Sequence, residues 1–120
     1  METTRGDVAW IEGGASSSSA KDRDQSRRHP ILVLSDNRHP RSDRLFIGIP
    51  LTTTELAETV ALGPEDWTAG RPPADAVVVP WAPRSLPQRS LTATIGTIDH
   101  DRVNALCVRT IAIPLQCDSQ

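Results

Sequence analysis

The chain has 120 residues and a formal net charge of -2, a length suited to one domain whose core needs no covalent staples. That balance excludes a polycation holding nucleic acid by bulk charge. No apolar run approaches a membrane span, and Cys107 and Cys117 lack metal-ligand spacing.

In chain order, Gly6–Ile11 (GDVAWI) alternates and is rich in strand formers, so it reads as the first strand. Residues 13–26 (GGASSSSAKDRDQS) are polar, with no apolar period, and read as a long mobile loop. Pro30–Asp36 (PILVLSD) is a continuous apolar run ended by a turn, expected to be a central strand covered on both faces. Pro30, lacking an N–H, suits its first position. Asp36–Asp43 is rich in turn formers. Arg44–Thr54 reads as a third strand, with Gly48 and Pro50 marking a bend.

Glu58–Gly63 follows as a short strand, Pro64–Asp75 as a loop, and Ala76–Trp81 as a strand continued by extended PRSLP. Ala93–Asp99 is short and β-rich, and Asp99 is placed to cap a helix beginning at His100. Val103, Leu106, Cys107 and Ile111 fall near helical spacing as one apolar stripe, which Pro114 ends. The fold expected is mainly β: a small curved antiparallel sheet or partly open barrel with one C-terminal helix. Residues 1–120 form one domain in this reading, with a flexible loop at about 13–28.

Positive charge is concentrated early: Lys21, Arg23, Arg27, Arg28, Arg38, Arg41 and Arg44 share the first half with His29 and His39. This is either a solvated face of mixed charge or an anion-binding surface for phosphate. Tyrosine is absent, and Phe46 with three tryptophans makes up the aromatic content. That argues against a base-stacking platform of the kind used for single-stranded nucleic acid.

Taken in order, RGDVAWI, the Gly/Ser-rich loop, RRHPILVLSD, LFIGIPLTTT and DAVVVPWAPRSLPQRSLTATIGTIDHDRVNAL resemble the MazF/PemK toxins, the mRNA interferases of toxin–antitoxin pairs. The resemblance runs from Arg5 to about Ile113. It implies an SH3-like barrel with a C-terminal helix, a homodimer and a cognate antitoxin partner, while Cys107 and Cys117, read as core or incidental thiols, suit a cytoplasmic, reducing compartment. It implies cleavage of single-stranded RNA (mRNA) without metal or other cofactor, by attack of the ribose 2′-hydroxyl on the adjacent phosphate. Neither DNA nor a membrane is an expected partner.

In that family an arginine beside the second-strand proline and a threonine or serine ending the third strand carry the reaction. The second matches Thr52, whose hydroxyl can bond a phosphate oxygen or, in a purely structural role, a backbone group. At the first, His29 precedes Pro30 and Arg28 lies one residue back. Either His29 acts as acid or base, a task suited to an imidazole near neutral pH, or Arg28 reaches the phosphate, or the chemistry is weakened. A strand alternates faces, so the two are expected to point oppositely. Arg84 in PRSL lies where the family places an arginine bordering the RNA groove, and Arg23 and Arg27 are candidates for steering RNA phosphates. Otherwise these three are solvated surface charges. The alternative function is a non-catalytic protein-binding module of the same barrel type, such as the gyrase-poisoning toxin CcdB.

Overall fold

The computed structural model describes residues 4–12, 28–53, 56–70 and 76–112, and of Arg28 the backbone only. Its strands are β1 (Asp7–Glu12), β2 (Arg28–Val33), β3 (Leu45–Thr52), β4 (Val60–Ala61), β5 (Trp67–Gly70), β6 (Val77–Val78), β7 (Arg84–Pro87) and β8 (Leu91–Ile98). The helix α1 (His100–Ala112) follows. The strands pair antiparallel in the order β4-β6-β3-β2-β1-β8-β5, with β7 added to β3. The sheet curls into a partly open barrel, as the alternation of short strands implies. Register shifts where β1 meets β8 add the local twist that curling needs.

The apolar run on β2 is explained by two cores, one on each side of it. Leu32 and Leu34 join Val8, Ile49, Val78, Ile98 and the helix residues Val103 and Leu106 in one buried cluster. Ile31 and Val33 join Ala9, Ile11, Phe46 and Leu91 in a second. A strand with water on neither side has no polar alternation.

Pro30 is not the first residue of its strand: β2 begins at Arg28, and Pro30 lies inside it opposite Trp10. The Leu34 N–H donates to the Ile47 carbonyl at 2.8 Å, so the backbones of Leu34, Leu32 and Pro30, alternate residues, all face β3. Pro30 has no N–H to offer there, and the β2–β3 pairing stops at Ile31–Pro50. Pro50 is tolerated for a matching reason. Its carbonyl accepts the Val79 N–H at 2.9 Å, so its missing donor faces the gap between the last β7 pair, at Gly48, and the first β6 pair, at Leu51.

The RGD start is structural. Gly6 has φ +97°, a left-handed conformation that favours glycine. Its N–H donates to the Val33 carbonyl at 2.8 Å, and its carbonyl accepts the Ile98 N–H at 2.9 Å. The Arg5 guanidinium donates to the Leu34 carbonyl at 3.0 Å and to Asn104 Oδ1 at 2.6 Å, joining sheet to helix. Asp7 Oδ1 accepts the Thr97 hydroxyl at 3.2 Å.

Asp99 caps α1 as expected, its Oδ2 accepting the N–H groups of Asp101 at 3.1 Å and Arg102 at 3.4 Å. The buried stripe is Val103 and Leu106, flanked by half-buried Cys107 and Thr110. Ile111, expected on that stripe, is 63% exposed. Thr110 closes the stripe one residue earlier, and Ile111 lies about 100° further round the helix. The Pro64–Asp75 loop is also corrected: a 3-10 turn at Pro64–Asp66 leads into β5. Its Trp67 lies against Gly96 of β8, where an added Cβ would come within 2.7 Å of the indole. No helix among the described residues is long and apolar enough to cross a membrane.

Candidate functional site

Three of the candidate residues occupy one face of the sheet. Cross-strand partners and alternate residues along a strand share a face. Ile31 pairs with Pro50 and Val33 with Gly48, and Gly48 in turn pairs with Arg84 of β7. His29 lies two residues before Ile31, and Thr52 two residues after Pro50. The ladder ends at Ile31–Pro50, so His29 and Thr52 each lie two residues beyond its last pair, and alternation puts both on the face of the second core. Arg84 emerges on that same face, four residues back along β3, or about 13 Å at the usual strand rise.

The exposures fit a surface site. His29 and Arg84 are exposed, and Thr52 is half-buried at the end of β3, opposite Val77. Pro30 ends the β2–β3 ladder, while β3 runs on with β6 along its other edge through Leu51 and Thr52. Arg28 is the first residue of β2, opposite Glu12, with His29 opposite Ile11. Sequence reading missed the Glu12 partnership, since only the register of β1 against β2 reveals it. Arg23 and Arg27 lie outside the described residues. Among the described residues no cluster of three or more His, Cys, Asp or Glu side chains could hold a metal ion.

The basic first half divides into two unlike parts. In the turn after β2, Arg38 clasps Asp36 with Nε 3.1 Å from Oδ1 and Nη2 2.6 Å from Oδ2. Those hydrogen bonds hold the Asp36 carboxyl down at about 2. Arg44 Nε lies 3.9 Å from Asp43 Oδ2. This part is the solvated surface of mixed charge. A cleft of about 860 Å³ opens here, lined by Ser35, Asp36, Asp43, Arg44 and Arg89 among others. It lies at the Leu45 end of β3, the opposite end from Thr52, and its carboxylates make it a poor seat for a phosphate. The His29–Thr52 end is therefore the better candidate.

The sequence profile of the PemK-like, MazF-like toxins of type II toxin–antitoxin systems matches residues 4–113. No curated protein matches the chain. Among solved structures it is similar to a mycobacterial endoribonuclease in complex with its cognate antitoxin, at TM-score 0.66 and 20% identity over 98% of this chain and 97% of that one. It is also similar to MazF in a MazE–MazF crystal structure from Deinococcus radiodurans, at TM-score 0.69 and 18% identity over 94% of this chain and 96% of that one. At these identities the structural likeness concerns the fold.

Proposed function

Because the chain belongs to the PemK-like, MazF-like toxin family of type II toxin–antitoxin systems, we propose that it is an endoribonuclease cleaving single-stranded RNA. The observation that supports this reading is the β2–β3 register, which leaves His29 and Thr52 each two residues past its last pair, Ile31–Pro50, with His29 exposed. In this reading the 2′-hydroxyl oxygen attacks the neighbouring phosphorus and the bond to the 5′-oxygen breaks. A 2′,3′-cyclic phosphate and a 5′-hydroxyl result, without a metal ion. One group takes the 2′-proton, another protonates the departing oxygen, and hydrogen-bond donors stabilise the phosphorane.

Thr52 is assigned the donor to a phosphate oxygen, and His29 a proton transfer. Arg28, at the start of the same strand, supplies the cation that favours charge build-up on phosphorus. Arg84 suits a flanking phosphate, given its separation from Thr52 along β3, and Arg23 and Arg27 are assigned to steering. The chain acts as one cytoplasmic domain and as a homodimer. An acidic antitoxin segment, ordering as it binds, would cover the basic groove.

The purified protein is expected to cleave single-stranded RNA in the presence of EDTA. Thr52→Ala, His29→Ala and Arg28→Ala should each lower the rate by about ten-fold or more. Intact RNA after long incubation with excess folded protein would overturn the reading. That outcome would favour the non-catalytic protein-binding alternative, to which histidine in place of the family's arginine before Pro30 lends support.

A further inference from the structure

Trp81 is not used by the chemistry above, yet it is carried on the segment that joins the partner of Thr52 to Arg84. The chain passes from Val77, the partner of Thr52, through Val79, whose N–H is bonded to Pro50, to Arg84, the partner of Gly48. Trp81 falls on this path, so its backbone passes between the Thr52 end and Arg84, and its indole reaches Ala57 ahead of β4. Its neighbour Pro80 is fully buried, while Trp81 itself is 36% exposed.

The ring is also held. Its indole Nε1–H donates to the Ala57 carbonyl at 2.8 Å. That bond ties the turn after β6 to the chain ahead of β4, the strand with which β6 pairs through Val60–Val78 and Ala61–Val77. Ala82 N–H donates to the Val79 carbonyl at 3.3 Å, tightening the turn that carries the ring. Leu56, next in sequence to the accepting residue, is 41% exposed. With its N–H satisfied by the protein, this ring offers a ligand only apolar surface and a π-face. That is a surface for stacking rather than for hydrogen-bond readout.

We propose that Trp81 is a nucleobase-stacking residue for the single-stranded RNA strand that runs between Thr52 and Arg84. This rests on the endoribonuclease reading and deepens it: Trp81 positions the nucleotide flanking the cleaved bond. The aromatic composition argues against a platform of several rings, whereas this arrangement needs one. Stacking tolerates any base, so Trp81 would set affinity and strand placement rather than a sequence preference.

The test uses the full chain and 2′-O-methyl oligonucleotides, which lack the attacking hydroxyl and stay intact. Tryptophan emission should fall on titration with such an oligonucleotide. The Trp81-dependent part of that quenching should be lost in Trp81→Leu and with an oligonucleotide of abasic residues carrying the same phosphates. Trp81→Leu is expected to bind about ten-fold more weakly. Trp81→Phe, which keeps the ring but loses the Ala57 hydrogen bond, should bind within about three-fold of the parent, since stacking needs only a π-face. Equal weakening in both variants would assign Trp81 a structural role and overturn the proposal, as would equal binding of the abasic and normal strands. If the parent cleaves RNA while Trp81→Leu binds unchanged, the stacking proposal fails and the endoribonuclease reading stands. A parent that neither binds nor cleaves RNA ends both.

Discussion

At the scale of single residues, charge on this chain is decided by immediate neighbours more than by regional counts. Asp36 and Arg38 are two residues apart, and hydrogen bonds from the Arg38 guanidinium and backbone N–H depress the Asp36 carboxyl from 3.8 to about 2. A carboxyl depressed by folding stabilises the folded state above its unfolded value, and the contribution is lost as pH falls through the folded one. The window here runs from about pH 4 down to about pH 2. In Arg38→Ala the Asp36 carboxyl is expected to rise part of the way back towards 3.8, since the residue-38 N–H still donates to it, read by carboxyl chemical shifts; an unmoved midpoint would assign the depression to another cause. The sequence showed both residues but not their pairing, since a turn rich in Asp, Asn and Arg allows many partners. His29 is the contrary case: its place before Pro30 is legible at once, yet the face it shares with Thr52 depends on a register between strands.

At the scale of elements, local chemistry was most legible where it is self-contained. The helix start needs only an aspartate ahead of an apolar stripe, and Asp99 caps it with two hydrogen bonds. Asp99→Ala should destabilise the protein by about 1 kcal/mol, and Asp99→Asn by much less, as measured by urea unfolding. Equal losses for the two would show that capping is not the function of Asp99. β5 was not legible, because WTAG neither alternates nor is rich in branched residues. It is a strand because β8 lies alongside and Gly96 leaves room for the Trp67 ring. The end of the apolar stripe was misjudged for a related reason. Spacing admits Ile111, but what the helix packs against determines where burial stops.

For the whole molecule, the central fact is a strand shared by two cores. Leu106 belongs to the first and Phe46 to the second, and β2 contributes neighbouring residues to both. Neither cluster can come apart without exposing that strand. Leu106→Ala and Phe46→Ala are therefore each expected to lower stability by about 2–5 kcal/mol. In both variants unfolding should remain one transition, coincident by circular dichroism and by tryptophan emission. Separate transitions in either variant would show that the two clusters are independent units.

The sequence by itself determined the fold class, the central strand, the capped helix and the family. Each is written in local pattern, in residue order, or in which residue types stand beside a proline. Only the tertiary structure decided which candidate residues share a face. His29, Thr52 and Arg84 come from three strands, and their common face follows from register, which depends on how two separate cores are filled on either side of β2. The same holds for Trp81: its type is plain in the sequence, but its exposure and its held indole exist only once β4, β6 and the turn between β6 and β7 are assembled.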